Sequence, residues 1–435
     1  MIVPIAWAGV LVPVRRAPAD AGGPRQSRVR ERFSLRVMPF AFALAAAVSG
    51  CQSKSSAPDV LDPSAITAPA SQAAGPATST QQAVAPAVVT AAQASQKLGT
   101  GPTRITMLLP LSASGGGGEA GRKMQDAARL AMADLGDKLL TLTIQDTRGD
   151  SGYAKDLAVK AITSGEAQAI IGPAELGAAQ HLAQLSGSKR PPVLALADNF
   201  AGGPGVYSVR LNEADSAAAG AAAVASKGAK KFVLLVPAGT DAGTIESRVA
   251  NALSIYGATL AVTLPYSAAD GAKAVSDMGS LVEAPNAVIV ASGDGSPSPA
   301  LEALKTKGIP GKAVTLIGTD RWLERPMDPL YEGAYIATLD QSETGPIAER
   351  FKATYSYQPD INVAYAYDMV ALAAGIASSA GPGGFNKQVL ENVSGFRGST
   401  GLFRFRADGS SQRSMPFFKV EKGQLKMVQK QTSGF

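Results

Sequence analysis

Cysteine and histidine are almost absent from this sequence of 435 residues, which contains one of each, Cys51 and His181. A disulfide framework, a zinc site built from several Cys or His ligands, and a Cys/His catalytic pair are therefore excluded from the folded part. A Ser-His-Asp triad could use only His181, which lies in a stretch typical of a helix surface, and no Gly-x-Ser-x-Gly motif is present. Since nothing pairs the scattered carboxylates as an acid and a base, we predict a protein without catalytic activity, metal or cofactor.

Charge is also scarce, because only 17% of the residues are charged whereas 46% are apolar. This composition excludes a wholly disordered chain, and the length predicts two or three domains. The formal net charge is +6, but residues 1–50 alone contribute +5 through seven arginines and two acids. The remainder is nearly neutral, so a nucleic-acid partner is not expected.

Residues 1–50 form a predicted leader. Arginines up to Arg36 precede the apolar run 37–48, and Ser49-Gly50-Cys51 follows. A basic segment, a short apolar segment and small residues are typical of a secretory signal peptide. Small residues directly before a cysteine resemble the bacterial lipoprotein signal, in which Cys51 would be acylated and would become the mature N-terminus. The alternative is an ordinary signal with an incidental cysteine.

Residues 51–103 are predicted to form a disordered linker after the lipidated cysteine. Ala, Pro, Ser, Thr, Gln and Val dominate this segment, and its apolar residues follow no helical or strand period. A chain of about 50 such residues spans roughly 40 Å as a coil and approaches 150 Å when extended. The linker would hold a folded domain near a membrane while leaving it free to search away from the surface.

The body from residue 104 alternates apolar strands with helical segments. Such an order predicts parallel sheets covered by helices on both faces. Two series of this kind predict an α/β fold with two doubly wound parallel-sheet lobes. The predicted strands are 105–111, 140–144, 169–171, 193–196, 232–236, 260–264, 287–290 and 313–317.

The last part of the chain predicts several crossovers between the lobes. A long Ala-rich helix follows Asp360, and the segments 401–405 and 416–420 are typical of antiparallel strands. We therefore assign lobe 1 to 104–211 plus about 340–400, and lobe 2 to 212–339 plus about 401–435.

Two short motifs match patterns of catalytic or nucleotide-binding sites, but we interpret neither as such a site. Gly116, Gly118 and Gly121 form a GxGxxG pattern between a strand and a helix, which we interpret as a flexible loop at a cleft rather than a dinucleotide site. Ser186-Gly187-Ser188-Lys189 matches S-x-x-K, but the S-D-N and K-T-G partners are absent. We interpret that segment as a solvated turn.

Polar residues at predicted strand ends are the candidates for a ligand cleft, because open α/β sheets bind ligands at the carboxyl ends of their strands. They would suit a small zwitterion or a saccharide, and the alternative is loop polarity without any ligand. The candidates are Ser112, Ser114, Glu175, Asp198, Asn199, Ser292, Asp294, Asp320 and Trp322.

Several segments in order resemble the type I periplasmic-binding fold of the leucine/isoleucine/valine-binding family, over roughly residues 104–430. Within that family the sequence is most similar to the branch of penicillin-binding-protein activators. The resemblance implies two lobes with multiple crossovers and a ligand cleft between them. It rests on 108–112, 146–149, 171–173, 194–196, 317–322, 366–372, 395–398 and 401–405.

The family's amino-acid receptors hold the ligand carboxylate with hydroxyl groups after the third and fourth strands, and its ammonium with an acid from the other lobe. Here the third-strand loop 173–177 has no hydroxyl, and Asp198-Asn199 stands in the fourth-strand position. Only Asp320 occupies the place of the ammonium-binding acid. An acid near a ligand carboxylate would repel it, so the usual clamp is altered.

These features predict a non-catalytic lipoprotein of the periplasm, anchored to the outer membrane. By resemblance it would bind and activate a peptidoglycan synthase (a penicillin-binding protein). The alternative is a substrate-binding receptor of an amino-acid ABC transporter of the branched-chain type, with a small polar ligand in the cleft.

We predict that Cys51 is acylated. Mass spectrometry of the mature protein should find a lipid-modified residue 51 at its N-terminus, and Cys51→Ser should release a folded, soluble periplasmic body. An unmodified residue 51 in the membrane-associated protein would contradict this prediction. His181→Ala, far from the leader in sequence, serves as the control and should leave membrane association unchanged.

Overall fold

The fold is given by a computed structural model, which describes residues 95–185, 190–267, 269–432 and 434–435. The leader, Cys51, most of the predicted linker and the S-x-x-K segment lie outside the described residues. Within them, the chain forms two mainly parallel sheets covered by helices and a small third sheet. The α/β prediction with two doubly wound lobes is confirmed.

The first sheet has the strand order β1-β3-β2-β4-β5-β6. Strands β2 to β6 run parallel to one another, and their buried Ile, Leu, Met and Val side chains form the core that the apolar runs predicted. The strands are β1 (Ser95–Leu98), β2 (Thr103–Leu109), β3 (Leu140–Asp146), β4 (Ala169–Ile171), β5 (Val193–Ala195) and β6 (Val206–Ser208).

Strand β1 corrects the predicted end of the linker at residue 103. It pairs antiparallel with β3, with Ser95 opposite Gln145 and Leu98 opposite Leu142. The Gln96 side chain also accepts hydrogen bonds from Gln125 and Arg129 of the adjoining helix. These few polar residues join the sheet because β3 offers them a free edge, which no local apolar pattern could reveal.

Three helices follow strands of the first sheet: α1 (Gly115–Ala131), α2 (Ser151–Thr163) and α3 (Leu176–Gln184). The prediction of a flexible glycine loop is wrong, because Gly115 to Gly118 form the first turn of α1. A Cβ at Gly118 would lie 2.0 Å from the Ala113 carbonyl oxygen, and a Cβ at Gly121 2.6 Å from that of Pro110. The glycines thus allow α1 to lie against the preceding loop. His181 is exposed on α3, as predicted.

The second sheet has the strand order β16-β15-β11-β10-β9-β7-β8. Strands β7 to β11 are parallel, and β15 and β16 extend the sheet antiparallel. The strands are β7 (Lys231–Pro237), β8 (Thr259–Tyr266), β9 (Ala287–Val290), β10 (Thr315–Gly318), β11 (Tyr335–Ala337), β15 (Phe417–Glu421) and β16 (Gln424–Gln429). Its helices are α4 (Glu213–Ala225), α5 (Gly243–Ser254), α6 (Ala272–Leu281) and α7 (Ser298–Thr306).

The chain crosses between the two sheets three times. It passes from β6 to β7 through α4, and after β11 the helices α8 (Gln341–Tyr355) and α9 (Ile361–Ala380) return to the first core. The short α10 (Lys387–Leu390) and the third sheet follow before β15 rejoins the second sheet. The third sheet contains β12 (Phe396–Gly398), β13 (Gly401–Phe405) and β14 (Ser411–Arg413).

The last crossing comes later than the predicted boundary at residue 401. Phe403 and Phe405 of β13 are buried in the same cluster as the first sheet, and the ring centroids of Tyr207 and Phe405 are 5.1 Å apart. The chain enters the second sheet only at Phe417. Alternating aromatic residues predicted the strand correctly, but they could not indicate which core it would fill.

Helix α9 is the central element of the crossover region. Asp360 caps its N-terminus by accepting a hydrogen bond from the Asn362 backbone, as the sequence predicted. Its length and apolar composition would suffice to span a membrane, but most of that stretch is buried inside the folded body. The buried Asp368 carboxylate accepts hydrogen bonds from the backbone and hydroxyl groups of Ser399 and Thr400, between 2.6 and 2.8 Å. This carboxylate therefore fixes the turn between β12 and β13 to the helix.

We predict that Asp368→Ala lowers the free energy of unfolding by about 3 kcal/mol, because the buried N–H and hydroxyl of Thr400 and the part-buried ones of Ser399 lose their acceptor. Thermal and urea unfolding of the soluble body would measure the loss. Asp277→Ala, which removes the exposed ion pair with Lys273 on α6, is the control and should change stability by less than roughly 0.5 kcal/mol. Equal effects of the two substitutions would contradict the prediction.

Candidate interlobe site

A direct contact joins the loops at the carboxyl ends of the two sheets. Asp198 and Asn199 follow β5, and Arg321 follows β10 in the short 3-10 helix Asp320–Glu324. Arg321 Nη2 donates to Asp198 Oδ2 at 2.9 Å and to Asn199 Oδ1 at 2.5 Å. Two predicted cleft residues are thus bound to a residue of the opposite lobe.

Arg321 is held on its own side by a second carboxylate. Its Nη1 donates to both oxygens of Glu324, at 2.8 and 3.0 Å, and its side chain is only 5% exposed. Burial alone would lower the pKa of Arg321, but the negative charges of Asp198 and Glu324 raise it above its ordinary value. The guanidinium therefore stays charged at any physiological pH.

Glu213, at the start of α4, organises the loops of the second sheet. Its carboxylate accepts hydrogen bonds from the backbone N–H groups of Ser292 and Gly293, at 2.7 and 3.0 Å, and from Thr319 Oγ1 at 2.7 Å. Ser292 was a predicted cleft residue, but it is fully buried and its N–H is already used. The sequence reasoning missed Glu213, because no local pattern indicates that a helix-start acid reaches two strand ends.

Asp320 lies beside this network with one oxygen unused. Its backbone N–H donates to Ser216 Oγ at 2.9 Å, while its Oδ1 is buried without a hydrogen-bond partner. Desolvation, followed by the nearby charge of Glu213, raises the pKa of Asp320 from 3.8 to about 7. Among the residues that the structure describes, Asp320 is thus the predicted site residue with the least stabilised carboxylate.

Trp322 does not line the cleft, contrary to the prediction. Its ring is fully buried in the core of the second sheet, 4.8 Å from the Tyr331 ring, and its Nε1 donates to the Val290 carbonyl at 3.1 Å. The backbone turn after Asp320 directs the indole inward, so it anchors the loop that carries Arg321. Asp294 is exposed, and its backbone carbonyl accepts a hydrogen bond from Arg325.

The first-sheet loops hold the remaining candidates. Ser112 and Ser114 are exposed, and the Ser112 backbone donates to Asp146 Oδ1 at 3.1 Å. Burial would raise the pKa of Asp146, but hydrogen bonds from Ser112 and from the Arg148 backbone lower it.

Glu175 is half-buried in the loop after β4. One carboxylate oxygen accepts the Thr147 hydroxyl, and the other is buried without a partner. Desolvation raises the pKa of Glu175. The predicted acids therefore lie in the loops at the strand ends. Among the described candidates, only Asp198 and Asn199 form side-chain hydrogen bonds to the other lobe.

The titratable side chains at the loop ends lie mostly apart from one another. Among the described residues, no group of three or more Asp, Glu, His or Cys side chains could hold a metal ion. The carboxylates of Asp146, Asp198 and Glu213 accept hydrogen bonds from backbone N–H groups, a hydroxyl or an arginine, whereas Asp294 is exposed. Two doubly wound lobes, joined by three crossings and in contact at their strand ends, define a two-lobed binding protein.

A family model described as periplasmic binding protein matches residues 102–424, and the chain therefore belongs to this family. No curated protein sequence matches it at a significant level.

Solved structures share the fold at low sequence identity. A branched chain amino acid ABC transporter periplasmic ligand-binding protein from Burkholderia xenovorans LB400 is 17% identical, with a TM-score of 0.59, over 75% of this chain and 94% of that one. The LpoA (YraM) C-domain from Haemophilus influenzae, a regulator of PBP1A, is 17% identical, with a TM-score of 0.57, over 75% and 100%.

A third similar structure contains a bound amino acid. It is an ABC transporter substrate-binding protein from Desulfitobacterium hafniense in complex with Leu, 17% identical, with a TM-score of 0.53, over 75% of this chain and 99% of that one. At this level of identity the likeness defines the fold alone.

We predict that Asp320→Asn stabilises the protein in a pH-dependent manner. Because the pKa of Asp320 is raised from 3.8 to about 7, the wild type loses stability as the pH rises between these values. The neutral amide does not titrate, so its gain in Tm should grow from about pH 4 to about pH 7 and then stay constant. Asp277→Asn is the control and should show no such trend. A difference in Tm that is the same at every pH would contradict the assignment.

Proposed function

We propose that this protein is a non-catalytic lipoprotein of the bacterial envelope, and that its binding-protein domain stimulates a peptidoglycan synthase. The acylated Cys51, the linker after it and the outer-membrane location are parts of this proposal. The linker would let the domain reach a synthase across the cell-wall layer, and the fold likeness to a PBP1A regulator supports this direction.

The interlobe ion pair is the observation that carries the proposal. A receptor for free amino acids needs donors for the ligand carboxylate between its lobes. Here Asp198 lies in the loop after β5 and already contacts Arg321 at 2.9 Å. Glu175 adds a second carboxyl in the loop after β4, where a hydroxyl donor would be required. Both groups disfavour an amino-acid carboxylate at this place.

The second candidate is a substrate-binding receptor of an ABC transporter. It is favoured by Asp320, whose Oδ1 is buried without a partner and could accept a bond from a ligand ammonium. Structures of similar fold include transporter proteins, one of them in complex with Leu. A small polar ligand in the cleft would belong to this alternative.

The test is an assay of glycan polymerisation and cross-linking by the organism's own bifunctional synthases, with and without the mature protein carrying Cys51→Ser. We expect direct binding to one synthase and a several-fold faster product formation. Serum albumin at equal concentration is the control for non-specific effects. No binding and no stimulation with any of these synthases would refute the proposal.

The transporter alternative is tested by thermal unfolding with millimolar amino acids. A receptor at a hundredfold excess of ligand over Kd gains about 2.7 kcal/mol, which raises Tm measurably. We expect no shift with leucine, isoleucine, valine or other common amino acids. A reproducible shift that Asp320→Ala abolishes would favour the receptor instead.

A further inference from the structure

We propose that Asp198 acts as a tethered ligand of its own cleft. Its carboxylate, on a loop of the first sheet, occupies the buried Arg321 guanidinium of the second sheet and so holds the two lobes closed when no ligand is bound. The proposal concerns the conformation of the domain and does not depend on the synthase partner.

The contact is concentrated in one guanidinium. Within the described ranges, the side-chain hydrogen bonds that join a strand-end loop of the first sheet to one of the second are those of Arg321 with Asp198 and Asn199. A second arginine, Arg210 in the segment between β6 and α4, lies 3.8 Å from the other Asp198 oxygen. The Asp198 carboxylate thus lies between two cations, one of which belongs to the opposite lobe.

Both sides of the contact are preorganised. On the second sheet, hydrogen bonds to Glu324 fix the guanidinium of Arg321, and the neighbouring buried Trp322 anchors the backbone. On the first sheet, Asn199 has a positive φ of 54°, which asparagine tolerates better than most residues. Its N–H donates to Asp198 Oδ1 at 3.0 Å and orients the carboxylate. Little side-chain freedom is therefore lost when the lobes meet.

The partial burial of the Asp198–Arg321 pair strengthens the contact that holds the lobes closed. The Arg321 side chain is 5% exposed and that of Asp198 is 40% exposed, so solvent screens the pair only in part. Separation of the lobes would return Asp198 to water and leave Arg321 with Glu324 alone. A charge-assisted hydrogen bond in this setting shifts an equilibrium on the order of tenfold.

The experiment measures the distance between the lobes in the mature protein carrying Cys51→Ser. Spin labels at Lys160→Cys on α2 and Lys305→Cys on α7, both exposed, report one lobe each by pulsed electron paramagnetic resonance. Without added ligand we expect one dominant short-distance population. Asp198→Asn, which keeps the side-chain shape, should increase a longer-distance population on the order of tenfold.

Two further variants distinguish the loss of the Asp198–Arg321 contact from a general loss of structure. Arg321→Gln should open the lobes at least as far, because it also removes the Asn199 contact, and adding Asp198→Asn to it should have no further effect, because the Asp198 contact is already lost. Asp277→Asn removes an exposed ion pair with Lys273 elsewhere in the second lobe and should leave the distances unchanged. Circular dichroism before labelling verifies that each variant is folded.

Salt provides an independent readout. Added salt should increase the open population of the wild type and leave that of Asp198→Asn unchanged, because only the former holds the lobes by an ion pair. Distance distributions that are identical in wild type and Asp198→Asn at low salt would overturn the proposal. That result would leave the synthase assay unaffected, since no partner is present in this experiment.

Discussion

A buried guanidinium needs acceptors that replace water, and Arg321 obtains carboxylates for this purpose from both lobes of the protein. Glu324 supplies one anion from the same loop, whereas Asp198 supplies the other from the opposite sheet. The loops at the strand ends must therefore approach each other closely for Arg321 to be satisfied. The same approach places the Asp198 carboxylate between the loops at the carboxyl ends of the two sheets, and under the proposal above it governs both the closure and the binding properties of the cleft.

Buried carboxylates perform the corresponding task inside each part of the fold. Glu213 ties the loops after β9 and β10 to the start of α4, and Asp368 ties the turn of the third sheet to α9. Each acid uses backbone N–H groups as partners, which compensates for the loss of water around the charge. Asp320 Oδ1 has no such partner, and desolvation together with the nearby charge of Glu213 raises the pKa of this acid. Their hydrogen bonds thus distinguish the structural acids Glu213 and Asp368 from Asp320, the candidate ligand-binding acid.

The family fold is compatible with more than one role. The same two lobes occur in transporter proteins and in a regulator of PBP1A, so the architecture by itself does not decide between them. The distinction depends on what fills the cleft. An internal ion pair suits a domain that presents a stable closed surface, whereas a transport receptor needs a cleft that is available to its ligand.

The sequence by itself determined the α/β class, ten of the sixteen strands that the structure describes and the cap of α9, because these follow from apolar runs and capping residues within a few positions of each other. It also predicted most of the polar loop ends correctly as positions at strand termini. Only the tertiary structure decided that β1 joins the first sheet, that the glycine run begins α1, that Trp322 turns into the core, and that Arg321 reaches Asp198. Each of these depends on groups far apart in the chain, and a local pattern contains no information about which distant surface a side chain will meet.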